Sequence, residues 1–378
     1  MPPKATRALQ ILGRPACMAA GYTIALRAAY ALFATIMLDR LHLDPRLVYS
    51  NTFTDRLMPP ADRFLYATLG VWERFDTLWY LHIARVGYDR SAASVFYPLY
   101  PALIRAISWL AHPPLLAALV VSTAASFFFF WGLQVLVEFD LPRSTAIKAV
   151  YLAGLWPASF MLLAGYPDSL VAACSVWSLC FARKNSWWLA GLLGMFAAAS
   201  KAVGCVVAVP LAFLGWRSRN WRAAASVLCL LPPFVYSLWT RLSGLEPISE
   251  VYPRYWHTSV EFPWVTLALC LHRFVSGGLD LLFKFNFVFL VLICCLALLK
   301  GVRTEYKLYA AAMLLMFLCK KTDPLLQSTM RYVVVVFPAF IGLALSMKRL
   351  VGLVVLSAFL VLFNGVLLLR FFEWSLIV

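Results

Sequence analysis

The sequence predicts an all-α membrane protein that crosses the bilayer about eleven times. Its residues are 63% hydrophobic and its mean hydropathy is +0.80, whereas roughly 45–50% of the residues of a soluble domain are apolar. Apolar runs recur along almost the whole chain. Because backbone groups inside lipid must find hydrogen-bond partners within their own segment, each run is expected to be a helix.

The expected spans follow these apolar runs within a single membrane-embedded domain, residues 1–378. The first run comes after Lys4, Arg7 and Arg14 and is too long for the core of a signal peptide, which predicts an uncleaved span. Two runs are short and could form a membrane-embedded hairpin, so the total lies between about ten and thirteen. The expected spans are residues 17–38, 114–137, 144–163, 166–183, 187–200, 203–216, 221–241, 276–299, 306–319, 332–347 and 350–370.

The net charge of +16 indicates membrane topology rather than nucleic-acid binding. The basic residues lie at span ends and form no clustered face. With the N-terminus in the cytoplasm, the short inside connections are strongly basic, as the positive-inside rule predicts. All acidic residues except Glu138, Asp140 and Glu305 then fall on the other side, together with two long connections, residues 39–113 and 242–275. We expect the chemistry on that non-cytoplasmic face.

The first long connection contains a polar and aromatic stretch around Asp76. If this stretch is helical, Asp76 and Tyr80 share a face, and an amphipathic helix would hold an acid among aromatic rings at the membrane surface. Partial burial there would make Asp76 a better general base. The alternative is a structural ion pair of Asp76 with Arg74 or His82.

The same connection ends in residues 97–111, which predict a helix lying on one leaflet or dipping into it. Two proline steps force extended backbone before this helix. Tyr97 and Tyr100 could contact a sugar ring, or they could belong to the aromatic belt at headgroup level.

Asp168 and Ser169 begin the expected span 166–183. A carboxylate at that position suits the helix dipole and a proline precedes it, so a structural role at the helix start is one interpretation. A contact with substrate is the other.

Two cations are candidates for binding a phosphate. Lys201 lies between two short apolar segments, and Arg331 precedes a long apolar run with Gln327 one turn upstream. Arginine clamps a phosphate with two parallel hydrogen bonds and lysine binds it as a point charge. The alternative is an ordinary interfacial cation at a span end. Arg27, Trp256 and His257 are weaker candidates.

Several familiar site patterns are absent from the sequence. It contains no P-loop, no HExxH zinc motif and no GxSxG nucleophile elbow, and its nine cysteines form no CxxC pair. The first long connection contains no DxD pair either. These absences disfavour a nucleotide-driven pump and a serine hydrolase, and we expect no metal and no cofactor.

Four segments resemble, in order, the GPI mannosyltransferase II-type family, which adds the second mannose in GPI-anchor assembly, and its prokaryotic relatives. The segments are FDTLWYLHIARVGYD with FYPLYPALIR, then WPASFMLLAGYPDSLVAACSVWSL, LAGLLGMFAAASKAVG and PLLQSTMRYVVVVFPAFIGLA. Asp168 replaces a family glutamate, Lys201 stands at a family arginine, and Phe75 replaces the family tryptophan before the key aspartate.

The resemblance implies a C-type membrane glycosyltransferase with a catalytic acid, here Asp76, in the first non-cytoplasmic loop. Such enzymes transfer a hexose, here expected to be mannose, from a polyprenyl (dolichyl) phosphate donor to a lipid or glycan acceptor with inversion. We expect Lys201 and Arg331 to bind the donor phosphate. The expected sugar or acceptor contacts are Tyr97, Tyr100, His82, Arg85, Asp168, Ser169 and Gln327.

Two other functions stay open. One is a transporter or flippase for a lipid-linked sugar, which would place Arg27 along a path through the membrane. The other is an inactive subunit of a glycosylation complex, which the Phe75 departure allows. The late Arg-Tyr segment favours the cytoplasmic membrane of a prokaryote over the endoplasmic reticulum of a eukaryote.

Overall fold

The computed structural model describes residues 4–44, 46, 48, 53, 57, 62–110, 112–278 and 280–375, and for residues 4–12 the backbone alone. Most of these residues are helical, as expected for an all-α membrane protein. The helices are α1 (Lys4–Met37), α2 (Arg63–Thr68), α3 (Asp76–Val86), α4 (Leu99–Ile107), α5 (Pro114–Glu138), α6 (Arg143–Leu155), α7 (Asp168–Arg183), α8 (Trp187–Ser200), α9 (Ala208–Ser218), α10 (Leu231–Leu242), α11 (Ile248–Trp256), α12 (Pro263–Ser276), α13 (Leu281–Ala297), α14 (Thr304–Leu318), α15 (Thr329–Tyr332), α16 (Pro338–Ser346) and α17 (Leu350–Phe372).

Short 3₁₀ segments connect or extend these helices. They are Leu38–Arg40, Gly70–Trp72, Ser91–Val95, Ser159–Leu162, Ala202–Val207, Trp221–Leu230 and Val333–Val335. The helix expected in residues 97–111 is present as the shorter α4, residue 111 lies outside the described residues, and the position of this helix on a leaflet stays a prediction.

The expected eleven spans are not confirmed. Within the described residues, four helices are long and apolar enough to cross a membrane: Gly13–Arg40, Pro114–Glu138, Trp221–Leu242 and Leu350–Phe372. The count becomes five if Thr329–Val335 and Pro338–Ser346, which are bent by 84° at their junction, form one broken span. Three shorter apolar helices cover Trp187–Ser200, Ala202–Ser218 and Leu281–Ala297.

Proline explains where one expected span is interrupted. The apolar run 144–163 is helical only to Leu155, because Trp156 is extended (ψ 143°) before Pro157. Proline disfavours helical backbone in the residue before it. The chain then turns through Ser159–Leu162, so this run is a helix followed by a tight turn.

A two-stranded antiparallel sheet joins two distant connections. Strand β1 (Thr258–Val260) pairs with β2 (Lys320–Thr322), with Val260 opposite Lys320. Hydrogen bonds from Glu261 N to Cys319 O at 2.9 Å and from Asp323 N to His257 O at 3.1 Å extend the pairing. The sheet therefore fixes the connection after α11 against the segment that follows α14.

At one end of the bundle, three connections meet through ion pairs. Asp140, in the turn after α5, accepts hydrogen bonds from Arg183 Nη2 at 2.9 Å and from Arg303 Nη1 at 2.8 Å. Burial raises the pKa of Asp140, but the two guanidinium groups outweigh it and keep that pKa below its usual value. All three connections belong to the basic set that the sequence places inside.

Candidate active site

Asp76 is the first residue of α3, at the end of the bundle opposite Asp140. The preceding Phe75 has φ 49°, a left-handed value that is unusual for a bulky residue. Its ring packs against Phe371 at 5.7 Å and Trp374 at 5.3 Å between centroids, so tertiary packing holds this backbone. The first turn of a helix also favours a carboxylate electrostatically.

Asp76 and three other charged side chains form one continuous network. Arg331 Nη1 donates to Asp76 Oδ2 at 2.6 Å, and Arg331 Nε donates to Asp168 Oδ2 at 2.9 Å. Lys201 Nζ donates to the other Asp168 oxygen at 2.9 Å. The expected pairing of Asp76 with Arg74 or His82 is therefore not found: Arg74 donates to the carbonyl of Phe372 and to the Tyr66 hydroxyl.

The members of this network differ in exposure. The Asp168 and Arg331 side chains are 2% and 6% exposed, whereas those of Asp76 and Lys201 are 25% and 24% exposed. The buried pair is thus enclosed by partners of opposite charge, and the Arg331 guanidinium also lies 4.1 Å from the centre of the Tyr166 ring. Asp76 and Lys201 are the more exposed members of the network.

Arg331 owes its position to the broken apolar run near the C-terminus. It lies in the short helix α15. The chain continues through Val333–Val335 and then bends by 84° into α16. Irregular backbone at membrane depth is tolerated where it lines a cavity or is buried in protein. The break therefore brings a cation to Asp76 and Asp168, which lie far from it in sequence.

The network borders a cavity of about 390 Å³ whose walls are mostly apolar. Asp76 and Lys201 reach this cavity, and so do the predicted contacts Tyr97, Gln327 and Arg331. The other lining residues are Tyr80, Val95, Phe96, Ala202, Val203, Tyr252, Trp256, Thr258, Val260, Met316, Phe317, Cys319, Lys320, Ser328 and Tyr332. A cavity of this kind, apolar with a few charged groups, is typical of a ligand site.

Several lining residues had no local signal that marked them as functional. Lys320 Nζ donates to the Tyr332 hydroxyl at 3.0 Å and lies 5.1 Å from the centre of that ring. Tyr252 is a further lining ring, and burial raises its pKa, so its hydroxyl stays protonated. Tyr332 directly follows Arg331 in sequence, but nothing local marks Lys320, which reaches the cavity from β2.

Tyr97 lies in the first long connection, just before α4 begins at Leu99. Its ring packs 4.7 Å from that of Tyr236. Burial raises the pKa of Tyr97 to about 12, so its hydroxyl remains a hydrogen-bond donor near neutral pH.

Five predicted contacts lie outside the cavity wall: Asp168, which is described below, and Tyr100, Ser169, His82 and Arg85. The Tyr100 hydroxyl is buried against the Ala118 carbonyl and Ser122, and Ser169 is fully buried in α7. His82 donates or accepts a hydrogen bond with Asp89 at 2.8 Å, and Arg85 lines a separate shallow hollow. Their predicted roles in substrate binding have no support from this geometry.

The hydrogen bond with His82 changes the acidity of Asp89. Burial raises the pKa of this carboxyl, but His82 and Arg90 outweigh burial, so the pKa lies below its usual value. Asp89 is therefore a carboxylate at neutral pH, and its hydrogen bond holds the ring of His82, a residue of α3, in place.

Asp168 begins α7, where a carboxylate suits the helix dipole as the structural interpretation expects, but its side chain caps no backbone N–H. Its contact with substrate stays a prediction. Pro167 is the N-cap residue of α7, and no side chain caps this helix. Asp168 is instead an ion-pair partner that lies behind Arg331 and Lys201. Among the residues that the structure describes, no group of three or more His, Cys, Asp or Glu side chains could hold a metal ion, and the expectation that no metal is needed stays a prediction.

The fold and this cavity together describe an α-helical integral membrane protein with a cavity that charged side chains line. No family model matches the chain. It is 30% identical over 220 residues to GPI alpha-1,6-mannosyltransferase 2 of Mus musculus, and this match covers 54% of the chain and 42% of the relative. It is 31% identical over 192 residues to the Rattus norvegicus protein of the same name, over 47% of this chain and 37% of the relative. The matched region thus spans less than half of each relative, and the likeness supports a distant relationship to mannosyltransferases.

Proposed function

We propose that this protein is an inverting membrane mannosyltransferase. The donor is mannose linked to a polyprenyl (dolichyl) phosphate, and the acceptor is a hydroxyl of a lipid or glycan at the non-cytoplasmic face. The mannosyltransferase names of the two relatives support the sugar and the reaction class. GPI-type transfer is the proposed reaction if the source is a eukaryote.

The observation that carries the proposal is the placement of Asp76 at the cavity. Its carboxylate is partly exposed, one oxygen is held by Arg331, and the lining includes Lys201. A base, a cavity with aromatic walls and cations are the groups that transfer from a sugar phosphate requires.

Each of these groups has one role in the proposed reaction. The free Asp76 oxygen accepts the proton of the acceptor hydroxyl while the oxygen of that hydroxyl attacks the anomeric carbon. The bond from the anomeric carbon to the phosphate oxygen breaks, and its electron pair leaves with the lipid phosphate. Cations near the cavity stabilise the charge that grows on this leaving group. Arg331 orients Asp76, since two of its nitrogens are already bonded to carboxylates.

The transporter alternative loses its main structural argument. The Arg27 guanidinium donates to the Leu163 carbonyl at 2.7 Å and to the Leu119 carbonyl at 3.4 Å, and it packs over Trp72. These contacts join α1 to its neighbours, which is a structural role.

The test is sugar transfer from radiolabelled polyprenyl phosphate mannose in membranes that contain the wild type or Asp76→Asn at equal amounts. Asparagine keeps the shape of the side chain but cannot accept the proton, so we expect the rate to fall by roughly 10²–10⁴-fold. The labelled product identifies the acceptor class.

Asp39→Asn is the matched control, because it makes the same change in the same connection at an exposed ion pair with Arg63. We expect this variant to retain wild-type transfer. Equal activity of wild type and Asp76→Asn would exclude Asp76 as the base. Absence of labelling in all samples, with sugar-lipid flipping in vesicles, would favour the transporter.

A further inference from the structure

We propose that Lys320 is the principal binding residue for the phosphate group of the lipid-linked donor, with Lys201 beside it. This inference rests on the proposed function for the identity of the ligand. The anion site itself rests on the geometry of the cavity.

The first argument is the charge balance around the cavity. The described residues in the network and lining include the carboxylates Asp76 and Asp168 and the cations Lys201, Arg331 and Lys320. Arg331 is enclosed between both carboxylates, and Lys201 shares Asp168 with it. One positive charge is therefore left in excess.

The second argument identifies Lys320 as that excess charge. Within the part of the chain that the structure describes, its ammonium forms no ion pair with a carboxylate, and its hydrogen-bond partner is the Tyr332 hydroxyl. It also lies 5.9 Å from the centre of the Tyr252 ring. A half-buried ammonium with three N–H donors and one hydroxyl partner can accommodate an anion at modest cost.

The third argument is that two ammonium groups lie around one aromatic ring. Lys201 Nζ lies 4.4 Å and Lys320 Nζ 5.1 Å from the centre of the same Tyr332 ring. Their positive charges therefore add to the potential around this ring, and an anion bound beside it is attracted by both. Arg331, in contrast, has its charge neutralised by two carboxylates, which makes it a poorer phosphate ligand than the sequence suggests.

The reaction fits an excess cation at this position. The donor phosphate is a diester with one negative charge, and after the bond to the sugar breaks it is a monoester with a larger negative charge. A cation that is neutralised only in part by the diester stabilises the leaving group more than the bound donor.

The antiparallel sheet explains how Lys320 reaches the cavity. Lys320 is the first residue of β2, opposite Val260, and both line the cavity. Successive side chains of a strand point to opposite faces. Lys321, paired with Ser259, is absent from the cavity lining and provides a matched control on the same strand.

The test is direct binding of a short-chain isoprenyl phosphate and of the corresponding isoprenol to the purified full chain. We expect the wild type to bind the phosphate at least about 10-fold more tightly than the alcohol. Lys320→Met should reduce this preference about 10-fold, Lys320→Arg should retain most of it, and Lys321→Met should stay within about twofold of wild type.

The inference would be overturned if Lys320→Met and Lys321→Met had the same preference for the phosphate over the alcohol. Thermal unfolding must first show that both variants are folded. If mannosyl transfer by the wild type is present and depends on Asp76 while Lys320→Met binds normally, the inference fails and the proposed function stands. If no transfer occurs but the phosphate preference depends on Lys320, the anion site stands and the proposed function fails.

Discussion

A single guanidinium links the two acids that the site contains. Arg331 Nη1 donates to Asp76, the first residue of α3, and Arg331 Nε donates to Asp168, the first residue of α7. Lysine, a compact point charge, lacks two donors in a fixed planar arrangement. Asp168 accepts hydrogen bonds from both Arg331 and Lys201. Its removal would therefore leave the buried positive charge with one carboxylate fewer.

Asp168→Asn is therefore expected to destabilise the protein by about 3–5 kcal/mol, as for other broken buried ion pairs. A helix cap alone would cost about 1 kcal/mol, so the measured free energy of unfolding separates the two interpretations. Thermal or denaturant unfolding in detergent provides the measurement, with Asp39→Asn as the exposed control. A loss near 1 kcal/mol would contradict the ion-pair role.

Residue type alone identified the four members of the charged network but not which of them pair with each other. Asp76, Asp168, Lys201 and Arg331 were all candidates from their residue types, and the structure brings them into contact. Lys320 was missed, because its position depends on pairing between strands about 60 residues apart. Such pairing leaves no local trace in the sequence.

At the scale of helices, apolar runs predicted where helices lie better than how long they continue. The run 332–347 was expected to be one span, but the helix bends by 84° between Val335 and Pro338. The run 221–241 begins with 3₁₀ turns before α10. Hydrophobic composition reports burial in lipid or protein and does not distinguish a continuous helix from a broken one.

Close helix packing predicts a large difference between two glycines. A Cβ at Gly342 of α16 would lie 1.9 Å from the Leu296 carbonyl oxygen of α13, whereas a Cβ at Gly352 of α17 has nothing within 4 Å. We expect Gly342→Ala to cost about 1–3 kcal/mol through displaced backbone. Gly352→Ala should leave stability unchanged or raise it by up to about 1 kcal/mol, since alanine favours helix.

Thermal unfolding of both variants, followed by intrinsic fluorescence in the same detergent, compares them directly. Similar midpoints for the two variants would show that α13 and α16 do not approach each other as closely as the structure has them. Because neither glycine touches the cavity, the comparison tests the fold independently of the proposed reaction.

The whole molecule places its two ionic clusters at opposite ends of α7. Asp168 begins this helix at the cavity, and Arg183 ends it beside Asp140. They are the first and last of the sixteen residues of this helix and therefore lie about 22 Å apart along its axis, most of the roughly 30 Å of a hydrocarbon core. The contacts of Asp140 with Arg183 and Arg303 also group three connections that the sequence assigns to one side.

This arrangement predicts that the cavity and the basic end face opposite sides of the membrane, with the cavity outside. Ser249→Cys in α11 and Ser218→Cys at the end of α9 are exposed, isosteric probes of the two ends. In a background without the exposed Cys17 and Cys295, a membrane-impermeant maleimide should label Ser249→Cys in intact cells. It should label Ser218→Cys only after permeabilisation. The basic connections near Ser218 oppose translocation, which is the physical reason for this orientation. The reverse labelling pattern would move Asp76 to the cytoplasmic face, where a donor presented from outside could not reach it.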